Sequence, residues 1–497
     1  MVAGAPGPAG AVPGAGRAGR TPPRVSVPAA AAQCAIGLGA PSPTDAARAA
    51  SVMRGRVDLG RYGWFPLAAD PTWRPARTLD SSGNGYMHAL HWALPLLREG
   101  VRTGDRAMLD RFYGLLRDWV HDNPPAGPTR RLAWGPPIYE GYRAQVLVCA
   151  AAAPDRRAAA TWLRQSLVVH GRQLADPGRY QGVNNASLHQ SMGLFAIGRA
   201  LRRTDWQATA VARMSALATR LIGPDGSDGE GAPGYALDDY QWFGQARARL
   251  EAADHPVPAA FGRAARLPAF LAQATRPDFL LENLGDTSLR TLPRRVLAGT
   301  AAEFAATAGA SGAAPESRFA VYPSGGYVFA RSSWQQGRDA TWYSMRFGTR
   351  RGRPHAHDDA TSVTVYAGGR PLLTDVGQWS YRYGATRDWV VSHAAHNVVL
   401  VSGTARSSAP PRLVTARAGG ADGLDLITAR DEGYRGVVLA RTLVYDRAHD
   451  YLVVWDRRSG ARPHAGAQQW NFPPSRTTRV STDTITSVGT TGGPSAG

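Results

Sequence analysis

Around residue 318 the periodicity of the chain changes, and two unlike halves follow from that change. Upstream, over residues 45–297, apolar residues recur at helical spacing. In "DRAMLDRFYGLLRDWVHDNPP" Met108, Phe112, Leu115 and Trp119 step by four, three and four, which marks one helix face. Pro124 and Pro125 then stop the helix. "NNASLHQSMGLFAIGRAL" repeats the pattern through Leu188, Met192 and Phe195, with Asn184 or Asn185 as candidate N-cap. "TDWQATAVARMSALATRLIG" is a third helix of this kind. Helices of about 12–18 residues joined by short loops predict helical hairpins stacked in an arc or ring. Downstream, "GGYVFARSS", "ATWYSMRFG", "SVTVYAGGRPLLTDVG", "HNVVLVSG", "GVVLARTLVYD" and "DYLVVWDRR" are short, β-branched or aromatic, and bounded by turn residues. They predict an antiparallel β-sandwich.

At 497 residues the chain is too long for one ordinary core. Four segments are expected: a disordered Ala/Gly/Pro-rich leader at 1–44, a helical domain at 45–297, a linker at 298–317, and a β domain at 318–497. The last is short for a sandwich and is open to being incomplete at its C-terminus. The leader cannot bury a core, and it lacks the continuous apolar stretch of a signal peptide. Cys34 falls within it, so a disulfide with Cys149 is not expected. A polymer substrate would suggest a secreted or cell-envelope protein, with a cytoplasmic one left open. No apolar run is long enough to span a membrane.

Net charge is +19, and all 57 basic residues are arginine. Forked guanidinium groups favour carboxylate, sulfate or phosphate partners. The arginines are spread along the chain, with no zinc-finger spacing, basic helix or aromatic RNA-binding motif. These absences count against nucleic acid, and an acidic polysaccharide fits the charge equally well; oligomeric state is not readable.

Three places carry candidate chemistry. In "RPHAHDDATS" His355 and His357 stand two apart, followed by Asp358 and Asp359. On a strand both imidazoles would face one way, and with Asp375 and His396 they are suitable zinc ligands. In "DGSDGEGAPGYALDDYQWF" a Gly/Asp-rich loop enters a helix at Tyr235, which could face a cleft or simply pack. Asn184–Asn185 opens a helix, where capping is the plain role.

The string "HAHDDATSVTVYAGGRPLLTDVGQWSY…SHAAHNVVLVSG" resembles the heparinase II/III-like polysaccharide lyases. So does the upstream order of an Asn-Asn helix start and a "DG…EG.PGY" loop. The resemblance covers roughly residues 50–470. It implies a multidomain α+β fold, an N-terminal α/α toroid (an incomplete helical barrel) followed by a C-terminal antiparallel β-sandwich. It also implies β-elimination at a uronic acid. Asn185 and His355 would neutralise the sugar carboxylate, and Tyr235 would act as base and then acid. Arg350, Arg351, Arg353, Asn184, His189 and Tyr240 would bind substrate. His357, Asp375 and His396 would hold a structural zinc ion, with Asp358 and Asp359 orienting the histidines. Many relatives carry histidine directly after the asparagine; here that residue is Ala186, so one uronate epimer is expected to be preferred. Two alternatives stay open: a non-catalytic carbohydrate-binding relative, and a glycoside hydrolase using carboxylates such as Asp225, Asp228 and Glu230.

Overall fold

The computed structural model describes residues 23–74, 79–127, 130–135, 137–407, 409–420, 423–481 and 484–489. The helical and β halves appear as the periodicity predicts. The helices Pro137–Ala152 and Asn185–Ala200 are buried along most of their length and lie against each other. They cross closely because Gly141 sits at the contact: a Cβ there would lie 2.3 Å from the His189 carbonyl oxygen. Around this pair stand Arg106–Asp122, Thr161–Ala175, Thr204–Leu221 and Pro233–Glu251. The Arg106–Asp122 helix starts on the Asp105 side chain, which accepts from the Met108 N–H at 3.1 Å. Its core face is Leu109, Phe112, Leu115, Leu116 and Trp119, while Met108 is only partly buried.

The leader differs from expectation over its described part. Residues 1–22 lie outside the described residues. Val27–Cys34 is a helix with Ala30 and Gln33 buried, packed against Pro137–Ala152. Buried Arg249 donates to the Gln33 carbonyl at 2.8 Å, and the Gln33 amide donates back to the Arg249 carbonyl at 3.0 Å. Cys34 is disulfide-bonded to Cys149, against the expectation of no disulfide. Composition alone undervalued this segment, because its stability comes from docking onto a large neighbour. Closing a loop of 115 residues removes chain entropy worth about 4–5 kcal/mol from the unfolded state. The segment expected as a linker carries a short helix, Ala301–Ala306, capped by Thr300 and packed through Ala302 and Ala306.

In the β half, five strands pair antiparallel in chain order: Phe319–Tyr322, Tyr327–Arg331, Trp342–Arg346, Val363–Ala367 and Arg370–Leu373. A second sheet is the meander Arg412–Arg417, Leu424–Asp431, Val437–Asp446 and Tyr451–Gly460. Val328, Tyr343 and Met345 of the first sheet meet Ile427, Leu443 and Tyr445 of the second. The opposite face of the first sheet presents Tyr327, Phe329 and Trp342 to the helical half, where the first two pack edge-to-face against Phe270. The Trp342 indole donates to the Gln273 carbonyl at 2.9 Å. The two halves thus share one core, which holds residues from both sides of the cleft in fixed relation.

Candidate active site

An open cleft of about 710 Å³ runs between the halves. Its helical wall is aromatic, built from Tyr86, Tyr139, Tyr142 and Trp242, with Asn185 and Tyr235 further along. The β half contributes Arg350, His355, Tyr381 and Arg387.

Each reactive side chain is placed by local backbone chemistry. Asn184 is the N-cap, accepting from the Ser187 N–H at 3.0 Å, so the next residue, Asn185, opens the helix at the cleft. Tyr235 follows the loop 223–232, which folds around Asp228. The Asp228 carboxylate accepts the backbone N–H of Glu230, Gly231 and Ala232 at 3.0, 2.6 and 2.7 Å. Gly231 has φ +92°, and a Cβ there would lie 2.4 Å from that of Ala356. Only glycine lets this loop reach the histidine segment. Backbone bonds then clamp that segment: His355 N–H to the Glu230 carbonyl at 3.1 Å, and Asp286 N–H to the His355 carbonyl at 2.9 Å.

The side chains converge. The Tyr235 and His355 rings stack with centroids 3.5 Å apart and planes 10° from parallel. Asn185 Nδ2 lies 3.2 Å from His355 Nε2. Buried Glu230 fixes the Asn185 amide, since its carboxylate accepts the Asn185 N–H at 3.0 Å and Nδ2 at 3.3 Å. The NH₂ group, not the oxygen, must therefore face Glu230 and His355. With Nε2 accepting from Asn185, the remaining proton of a neutral His355 sits on Nδ1, 3.2 Å from Asp286 Oδ2 and 3.2 Å from the Tyr381 hydroxyl.

Burial pushes the Tyr235 phenol well above its usual 10, and negative charge at Tyr381, Glu230 or Asp286 adds to this. Burial also raises Glu230, to about 7. For Asp286 burial works the same way, but hydrogen bonds from His355, His357 and Arg387 win and hold it well below the usual carboxylate range. Arg387 grips Asp286 through two bonds, of 2.6 and 2.8 Å, and His357 Nε2 lies 3.0 Å from Asp286 Oδ1.

The Glu230 shift has a stability consequence. A carboxyl raised from 4.5 to about 7 contributes stability that is full below pH 4.5 and lost as pH rises through 7. Glu230→Gln removes this dependence. Its melting temperature relative to the parent should therefore rise by about 3 °C or more between pH 5 and pH 8. Calorimetry giving a constant difference across that range would show that Glu230 does not titrate there.

His357, Asp375 and His396 offer ligand atoms within 4.8 Å of one another, all buried. Asp375 accepts from His396 Nδ1 at 3.0 Å, and its carboxylate stays ionised because His396, His357 and backbone N–H groups outweigh its burial. His357 Nδ1 and His396 Nε2 are buried without a hydrogen-bond partner. Two orphaned imidazole nitrogens beside a carboxylate fit a cation with nitrogen and oxygen preference.

Several expectations are corrected. The His355 segment is not a strand: the strand Trp342–Arg346 ends before it, and residues 348–361 run as turns. His355 faces the cleft while His357 is fully buried, and the two meet only through Asp286. Arg353 is spent on the Ser324 and Gly325 carbonyls. Arg351 lines a neighbouring groove beside Arg406 rather than the cleft; of the three expected arginines, Arg350 alone lines it. Asn184 is a cap, and its amide donates to the Gln181 carbonyl at 3.1 Å. His189 is one helical turn deeper than Asn185, buried behind Tyr142 and Trp242 at ring distances of 4.6 and 4.7 Å. Burial depresses it to about 3. Tyr240 is five residues beyond Tyr235, about 140° around the helix, and lines another groove with Ile36 and Phe243. Asp358 and Asp359 pair with Arg406 and Arg346 instead of orienting the histidines.

Glu230, Asp286, Tyr381 and Arg387 went unassigned as site residues in the lyase reading. Tyr381 stands inside the quoted "GQWSY" string and Glu230 inside the Gly/Asp-rich loop, so both had a signal. Asp286, in "NLGDTS", had none.

A family model described as heparinase II/III-like, C-terminal, matches residues 314–493. Over these residues the β half is similar to the heparinase II/III-like C-terminal domain. Solved structures extend the likeness across both halves. A heparinase III superposes with a TM-score of 0.70 at 18% identity, over 93% of this chain and 75% of its own. The heparan sulfate lyase HepC from Pedobacter heparinus gives 0.63 at 18%, over 89% and 73%. The heparinase III that is the BT4657 gene product gives 0.66 at 16%, over 88% and 74%. No curated protein matches in sequence. At these identities the likeness is one of fold. The chain thus shares with these solved structures the fold of a helical toroid followed by a β-sandwich, as the sequence resemblance implies.

Proposed function

We propose that the chain cleaves an acidic, uronic-acid-containing polysaccharide by β-elimination. One observation carries this reading. Asn185, Tyr235 and His355 come from three distant segments and two halves, yet meet in one cleft, with Asn185 Nδ2 3.2 Å from His355 Nε2 and Tyr235 stacked on the same imidazole.

The chemistry follows from charge. Removing the C5 proton beside a carboxylate builds a second negative charge, so the carboxylate must first be neutralised. Asn185 N–H and a protonated His355 Nε2 would donate to it, and Asp286 on Nδ1 supports the positive imidazole. The Tyr235 oxygen then takes the C5 proton, the C4–C5 double bond forms, the C4–O4 bond breaks, and Tyr235 returns the proton to O4. No water enters the sugar. Arg350 is placed to meet a neighbouring acid group, and the aromatic wall suits sugar faces. Asp225, Asp228 and Glu230 are all occupied with backbone N–H or Asn185, which does not favour a hydrolytic carboxylate pair.

The substrate proposed first is a heparan-type glycosaminoglycan, with alginate-like uronans as the second class. The test is incubation with a panel of such polymers, following the ultraviolet absorbance of the new double bond. Absorbance should rise on at least one. New reducing ends without absorbance would mean hydrolysis, and neither signal would mean a carbohydrate-binding relative.

Zinc is the proposed ion for His357, Asp375 and His396, in a structural role that ties three segments of the β half beneath His355. Metal analysis of the purified protein should find about one zinc per chain. A fully folded preparation with no metal would remove this assignment. The Cys34–Cys149 disulfide supports an oxidising compartment and hence export.

A further inference from the structure

The elimination reading leaves one difficulty. Tyr235 must act as a base, yet its surroundings oppose a phenolate: burial raises it first, and negative charge on Tyr381, Glu230 or Asp286 raises it further. Of the cations on this side, Arg387 has both arms of its guanidinium held by Asp286, and a protonated His355 stacks on the face of the Tyr235 ring rather than bonding its oxygen. Something else must hold negative charge on the Tyr235 oxygen.

The Tyr381 hydroxyl lies 2.7 Å from the Tyr235 hydroxyl and 3.2 Å from His355 Nδ1. Donor and acceptor roles along this contact are set from its far end. Glu230 fixes the Asn185 amide; when Asn185 donates to His355 Nε2 the imidazole proton is left on Nδ1, and when Nε2 is itself protonated for the reaction Nδ1 still carries its proton. In both states His355 Nδ1–H can donate to the Tyr381 oxygen as well as to Asp286, and a phenolate at Tyr235 would take the Tyr381 O–H as its donor across 2.7 Å.

We propose that Tyr381 is a further catalytic residue, a hydrogen-bond donor to the Tyr235 oxygen that stabilises its phenolate form throughout the elimination; this deepens, and rests on, the lyase reading. The proton balance closes. The Tyr235 phenolate, held by Tyr381 O–H, takes the C5 proton as the C5–H electron pair becomes the C4–C5 double bond. The C4–O4 pair leaves with O4, which takes that same proton from Tyr235. The phenolate is regenerated, and Tyr381 keeps its own proton. As a neutral donor Tyr381 lowers the cost of the phenolate, whereas as a second phenolate it would raise it. The groups facing Tyr235 are Tyr381, His355, Glu230, Asp286 and Arg387. Of these, Tyr381 is the one whose hydroxyl bonds the Tyr235 oxygen.

The test is Tyr381→Phe on the full chain. Turnover at pH 7 should fall about 100-fold, with KM within about threefold. The rising limb of the pH–rate profile should move up by about one unit, so the loss shrinks as pH rises. A role in packing alone would cut turnover equally at every pH. A second measurement needs no turnover: ultraviolet difference titration of each protein against its own Tyr235→Phe form. The Tyr235 phenolate should appear about one pH unit lower with Tyr381 present than with Phe. Equal titration, or an unchanged pH profile, overturns the proposal. An unshifted polymer panel with a shifted titration would instead sink the lyase reading and leave the phenol pair standing.

Discussion

Tyr235→Phe should abolish turnover, by about 1,000-fold or more, while leaving substrate affinity within a fewfold of the parent. Phenylalanine keeps the ring that stacks on His355 at 3.5 Å, so the imidazole stays in place and Asn185 can still meet the sugar carboxylate. What is lost is one oxygen, the atom that carries the proton from C5 to O4. Steady-state rates on the active polymer, together with calorimetric binding of an unsaturated product, separate the two. A variant retaining a tenth of parental turnover would show that another group removes the proton. The Glu230 carboxylate does not replace the phenol, since it is fully buried and already bonded to Asn185.

Asp286→Ala should be the most damaging substitution to the folded state. The side chain is fully buried and compensates Arg387, His355 and His357 at once, at 2.6–3.2 Å. Removing it takes away the carboxylate that holds the Arg387 guanidinium and His357 Nε2, and leaves His355 Nδ1 with the Tyr381 hydroxyl alone. Breaking a buried pair in this way costs about 3–5 kcal/mol. Turnover should be lost as well, because His355 Nδ1 loses the carboxylate that supports its positive form. Asp286→Asn keeps the volume and one acceptor, so it should recover part of the stability but little of the activity. Denaturant unfolding of the two variants decides the matter. Parental stability for Asp286→Ala would show that the arginine and histidines find other partners.

These two residues differ in how far they were readable beforehand. Tyr235 follows a glycine-rich loop and opens a helix, a pattern visible in one dimension. Asn185 at its helix start and His355 in its motif are similar, and all three reach the cleft. Asp286 lies in a coil between elements, in a stretch with no periodicity. It matters because two histidines and an arginine from far downstream close around it. The strand assigned to His355 failed for a local reason that was also on view: Gly348, Gly352 and Pro354 interrupt "GTRRGRPHAH", and proline lacks the N–H a ladder requires. Arg351 and Arg353 show the limit of reading charge along a chain. Which guanidinium meets a ligand and which meets a backbone carbonyl depends on how the turn 323–326 comes to rest beside them.

The alternation of apolar residues determined, without any partner, that a helical half precedes a β half, since side-chain period is a property of the local backbone. The same holds for the identities of the three cleft residues and of His357, Asp375 and His396, which lie within short recognisable strings. Only the folded chain decided that Glu230 orients an amide, that Asp286 joins His355 to His357, that Tyr381 touches Tyr235, and that the N-terminal helix docks through a disulfide. Each of those is a contact between residues far apart in sequence. Such contacts are created by burial of shared apolar surface between the two halves, and no local pattern records them.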